Sequence, residues 1–124
     1  MSTAAPAPHR PLRSLLAAAL LREGRPVEIP ATGNSMRPLF TPGDRILVRP
    51  AGAADARPGD VVVLLDEAHG LVAHRLVYAT PTAVYTRGDN GLPDPPSPAT
   101  AVVGIAAVPP SPRALYAAVR ALLR

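Results

Sequence analysis

Three segments of the chain carry groups that can do chemistry. The first is GNSMRPLFTPGD at 33–44, where Gly33 and Pro38 bracket Ser35 on a tight bend. A hydroxyl held on such a bend stands out where a substrate can reach it. The second is LVAHRLVY at 71–78, with His74 inside an apolar run. The third is TRGDN at 86–90, which brings Asp89, with Asp94 five residues later. In chain order these supply a hydroxyl, an imidazole and a carboxylate. A serine hydroxyl is a weak nucleophile at neutral pH and needs a base to take its proton; an imidazole suits that role. A carboxylate then fixes the tautomer of the ring and stabilises the imidazolium. Each part also has a plain structural use: a turn serine bonding its own backbone, a core histidine, an aspartate capping a turn. His9 and His69, in a polar tail and a turn, read as bystanders.

Composition removes several other chemistries. The chain has 124 residues, enough for one domain. Cys is 0, which excludes disulfides, Cys-ligated zinc, iron–sulfur clusters and thiol nucleophiles. All 13 basic residues are Arg, so no lysine base, Schiff base or phosphate-loop lysine is possible. No cofactor or metal is expected. The formal charge of +4 is spread over scattered arginines, and aromatics make up only 3%. A base-stacking nucleic-acid platform needs ring faces, so nucleic acid is not expected as a partner. The apolar run Leu15 to Leu21 is far short of the ~20 residues that span a bilayer. It is followed at once by Arg22 and Glu23, which makes a poor secretory signal. The expectation is a soluble cytoplasmic protein with no integral membrane span.

The elements that must position these groups follow from periodicity. Residues 1–10 read as a disordered tail, and 11–124 as a single domain. Residues 11–23 read as a helix, with Pro11 in the first turn and Gly24 as the stop. The period then drops to two. Val27, Ile29 and Ala31 alternate, and further strands are expected at 45–49, 60–65, 71–78, 82–87 and 100–108. Turn signals such as Pro42-Gly43-Asp44 and Pro58-Gly59-Asp60 separate them. Residues 91–99 hold four prolines and read as a stiff extended loop rather than a strand. Ser111 and Pro112 open a closing helix at 111–124. The fold class is mostly β, a partly open barrel flanked by an N-terminal and a C-terminal helix, with the β core at 25–108.

At residues 25–108 the chain resembles the signal peptidase I and LexA-like repressor clan of serine peptidases. GNSMRPLFTPGD resembles the clan's nucleophile box and RPGDVVVLL at 57–65 its following strand. VAHRLVY and TRGDN are similar to the His-Arg and Gly-Asp-Asn boxes of the endoplasmic-reticulum and archaeal branch. The missing lysine agrees with that branch, because the other branches use Lys as the base. The resemblance implies a coiled-sheet peptidase fold, with Ser35 as nucleophile, His74 as base and Asp89 as its carboxylate partner. Asp94 matches an acidic position of the same pattern and competes for that role. Asp89 ends a strand beside Gly88 and Asn90, whereas Asp94 lies in the proline-rich loop. Rigid elements position better than loops, so Asp89 is the expected partner and Asp94 auxiliary. Gly33, Asn34, Met36 and Pro38 are assigned to substrate binding and the oxyanion site. The family's hydroxyl residue two before the nucleophile is here Gly33, so backbone N–H groups must carry the oxyanion. The membrane-spanning segment usual in the clan is missing.

The expected function is a small soluble serine endopeptidase that cleaves a precursor or leader peptide through an acyl-enzyme, with Ala favoured beside the cut by resemblance. The alternative is a catalytically poor peptide-binding module of the same fold, holding an extended segment by strand addition and acting as a partner in peptide maturation or regulation.

Overall fold

The computed structural model describes residues 9–108 and 119–120. One helix, α1 (His9–Arg22), precedes seven strands: β1 (Val27–Pro30), β2 (Arg45–Pro50), β3 (Val61–Asp66), β4 (Gly70–Ala79), β5 (Ala83–Arg87), β6 (Ser97–Pro98) and β7 (Val102–Ala106). They form one antiparallel sheet in the order β1-β2-β7-β3-β4-β5-β6. The sheet curls into a half-barrel, so the protein is mostly β with a helix laid against it. No helix among the described residues is long and apolar enough to cross a membrane.

The curl follows from burial on both faces. In β3 every residue from Val61 to Leu64 is buried, with Val61 and Val63 on one face and Val62 and Leu64 on the other. A strand covered on both sides reads as a continuous apolar run, which is why VVVLL lacks alternation. The first face gathers Ile46 and Val48 of β2, Val103 of β7, Met36, Leu39 and Phe40, and Ala18 and Leu21 of α1. The second gathers Leu76, Val84, Val102 and Ile105. Register breaks between Val63 and Leu64 and between Leu76 and Tyr78 add local twist. Gly104 is fixed by packing: a Cβ there would overlap Val48 Cγ1 and lie 2.7 Å from the Arg49 carbonyl.

Several boundaries differ from the sequence reading. The helix begins at His9 rather than 11, so His9 and Arg10 belong to α1 and not to a tail. Pro11 still falls in the first turn, where its missing N–H has no intrahelical partner to lose. β7 is shorter than 100–108, because Ala99–Ala101 winds into a 3-10 turn. The proline-rich 91–99 segment does contain a strand. β6 pairs with β5 at the sheet's edge, where proline's lack of a donor is tolerated. The expected C-terminal helix at 111–124 lies outside the described residues, except for Val119 and Arg120, which are helical.

Candidate functional site

Ser35 sits on the connection between β1 and β2. The turn that carries it is anchored from below by Met36, Leu39 and Phe40, all buried in the first core cluster. Its backbone is closed by Arg37 N–H to the Asn34 carbonyl at 3.1 Å and Phe40 N–H to the Met36 carbonyl at 3.1 Å. The Arg37–Pro38 peptide is cis. Apolar residues on one side of the turn thus leave the Ser35 hydroxyl on the other.

The 88–90 turn grips this segment from above. Asn90 N–H donates to the Ser35 carbonyl at 2.8 Å, and Asn90 Nδ2 donates to the Asn34 carbonyl at 3.3 Å. Gly88 makes the approach possible. A Cβ there would lie 2.7 Å from Ser35 O, 3.0 Å from Ser35 Cβ and 3.3 Å from His74 Nε2. No other residue fits without moving Ser35.

His74 stands on β4 opposite Val62 of β3. Its Nε2 is 3.0 Å from Ser35 Oγ and its Nδ1 is 2.5 Å from Asp94 Oδ2. A carboxylate accepts, so in the neutral ring the Asp94 contact selects the tautomer with the proton on Nδ1 and leaves Nε2 as the acceptor facing the hydroxyl. Asp94 is held in turn by Thr86 of β5: Thr86 Oγ1 donates to the same Oδ2 at 2.8 Å, and Asp94 N–H donates to the Thr86 carbonyl at 3.0 Å. The hydroxyl, imidazole and carboxylate therefore form one hydrogen-bonded line.

Asp89 does not join that line, contrary to the expectation from the strand end. It is 4% exposed and takes a two-armed contact from Arg75, with Nε to Oδ1 and Nη2 to Oδ2 both at 2.8 Å. Arg75 Nη1 also donates to the Gly59 carbonyl at 2.8 Å, and Asp89 N–H to Met36 Sδ at 3.4 Å. The physical reason is strand alternation. His74 and Arg75 are consecutive on β4 and point to opposite faces, so each takes its own carboxylate. The Asp89 contact raises the Arg75 guanidinium pKa further, against the opposing effect of burial.

The line opens onto a groove of about 890 Å³ inside the curled sheet, lined by Ser35, His74, Thr86 and Asp94 among others. Its apolar floor includes Ile29, Met36, Phe40, Ile46, Leu71 and Ala73, and Pro95, Pro96 and Pro98 stand along its wall. The residues assigned by sequence to substrate binding divide. Gly33, at φ +70°, and Met36 line the groove. Asn34 and Pro38 do not. Asn34 is exposed and ties down the turn, accepting from Arg37 Nε at 2.6 Å, and Pro38 is half-buried within it. The Ser35 N–H makes no hydrogen bond among the described residues.

Sequence reasoning missed Thr86, Arg75 and Gly88. Thr86 and Arg75 fall inside the strings TRGDN and VAHRLVY, but nothing local gives either a part in holding a carboxylate. The Gly-Asp-Asn string did mark Gly88, but as turn chemistry. His69, read as a bystander in a turn, is exposed there and pairs with Asp66 at 2.9 Å, and this hydrogen bond lowers the Asp66 pKa. Among the described residues no group of three His, Asp or Glu side chains is arranged to hold a metal ion. Compared with known proteins, the chain matches no family model, no curated protein and no solved structure.

Proposed function

We propose that this protein is a serine endopeptidase of the signal-peptidase-like His type, cutting an extended precursor or leader peptide through an acyl-enzyme. The observation that carries the reading is the line Ser35 Oγ–His74 Nε2 at 3.0 Å and His74 Nδ1–Asp94 Oδ2 at 2.5 Å, opening onto a groove. In this mechanism Ser35 Oγ attacks the scissile carbonyl as His74 Nε2 takes its proton. Asp94 stabilises the imidazolium. The Ser35 N–H, without a hydrogen-bond partner among the described residues, offers a donor to the developing oxyanion. His74 then returns the proton to the leaving amine. Water, activated by the same imidazole, hydrolyses the acyl-enzyme.

An extended substrate suits the sheet. β5 pairs with β4 only from Arg75 onward, so the Gly70–His74 half has β3 on one edge and no strand on the other among the described residues. Leu71, Val72 and Ala73 of that half line the groove. At the start of this edge Leu71 N–H is taken by Ser14 of α1, so a peptide would add beside Val72 to His74, bringing one carbonyl to Ser35.

The test is labelling with a fluorophosphonate probe, read by intact mass, for the wild type and Ser35→Ala. Labelling confined to Ser35 is expected. Absence of labelling in a protein that still binds extended peptides would favour the binding module instead.

A further inference from the structure

The helix that covers the sheet turns only part of its surface inward. Ala18 and Leu21 are buried against the first core cluster, and Ser14 Oγ accepts from Leu71 N–H at 3.2 Å. On the opposite side Leu12, Leu15 and Leu16 are 57%, 55% and 57% exposed, and Ala19 is exposed with them. Positions 12, 15, 16 and 19 form one continuous stripe along α1. At roughly 100° per residue, Arg13 and Arg22, both exposed, flank that stripe on its two sides.

Charge is distributed in the same sense. Residues 23–108 hold seven arginines and all nine acidic residues, a net charge of −2. The segments 1–22 and 109–124 hold six arginines and no acidic residue, a net charge of +6. The stretch that ends in the leucine stripe, residues 1–22, thus carries three arginines and no carboxylate, whereas the stretch that forms the sheet is net acidic.

We propose that α1 docks this protein on an anionic lipid surface, lying in the plane of the interface with Leu12, Leu15 and Leu16 among the acyl chains. Arg13 and Arg22 then reach the phosphates on either side, with their aliphatic stems beside the leucines. A leucine stripe edged by cations, with no carboxylate on the helix, complements apolar chains beneath negative headgroups. A second copy of this chain would instead bring arginine against arginine. The helix is too short to span, so binding is peripheral and reversible. The inference rests on α1 and the charge distribution, and stands apart from the chemistry at Ser35.

The full chain is sedimented with vesicles of phosphatidylcholine alone and of phosphatidylcholine mixed with phosphatidylglycerol. Binding is expected to the anionic vesicles, weakening as salt is raised, with far less to the neutral ones. Leu15→Asn combined with Leu16→Asn should abolish it. These side chains are exposed, and an unchanged thermal melt verifies the fold. Arg13→Gln with Arg22→Gln should weaken partitioning roughly thirty-fold, at about fivefold per arginine near the surface. A wild-type protein that stays in the supernatant with anionic vesicles overturns the proposal. So does vesicle binding that survives loss of the leucines. A dimer in light scattering that the leucine variant dissolves, without vesicle binding, would assign the stripe to contacts between copies and equally overturn it.

Discussion

Replacing Asp94 by Asn keeps the shape of the carboxylate and removes its charge. In the structure the Asp94 Oδ2 is 2.5 Å from His74 Nδ1, and both groups are largely shielded, with side-chain exposures of 28% and 14%. When the imidazole takes the Ser35 proton, its positive charge lies roughly 4 Å from the carboxylate's centre. At an effective dielectric of about 20 this attraction is worth about 4 kcal/mol. The charge pair exists only after proton transfer, so its loss falls on the transition state, about three decades in kcat/KM. Asp89→Asn provides the contrast. It breaks one arm of a buried pair and leaves the Arg75 charge incompletely matched, a loss of about 3–5 kcal/mol of stability. The assay measures peptide hydrolysis or fluorophosphonate labelling rate beside a thermal melt for both variants. Asp94→Asn should melt near wild type and lose turnover; Asp89→Asn should melt lower, with its folded fraction still active. An Asp94→Asn variant within about tenfold of wild type, or an Asp89→Asn variant that is stable yet inactive, refutes the assignment.

Other expectations follow from the same geometry. Gly88→Ala places a methyl 2.7 Å from Ser35 O and 3.3 Å from His74 Nε2, so the nucleophile must shift; labelling should slow about 100-fold. Gly104→Ala drives a methyl into Val48 and should lower stability by about 1–3 kcal/mol in chemical denaturation. Hydrolysis should be lost in His74→Ala, which leaves no base to accept the Ser35 proton; full activity in that variant would remove His74 from the role of base. Asp66 has its folded-state pKa lowered, first by the His69 hydrogen bond, so its increment to stability is present above the usual carboxylate range. That increment is lost as pH falls through the lowered value, and Asp66→Asn should flatten this part of the acid-stability curve. The pair is exposed, so the effect is small and weakened by salt.

The β character, the turns and the positions of most strands along the chain were legible in the sequence, because local rules govern them. Alternation at Val27 to Ala31, the apolar run at 61–65 and the Pro-Gly-Asp turns are readable within a few residues. Ser35 and His74 were legible too, since their boxes are contiguous strings and an absent lysine removes the competing base. What no local pattern specifies is which carboxylate meets the imidazole. Asp89 appeared better placed because it follows a strand directly. Only the folded sheet shows that Arg75, one residue after His74 and therefore on the other face, captures Asp89 at 2.8 Å through both nitrogens. The same curl brings β5 beside β4, so Thr86 and the chain after it present Asp94 to His74 across 20 residues. The sequence by itself determined most element types and marked Ser35 and His74 as the candidate pair, because backbone preference and local motif act over short spans. The tertiary structure alone decided the carboxylate, the groove and the exposed leucine face of α1, because these depend on which side of each element the curled sheet leaves uncovered.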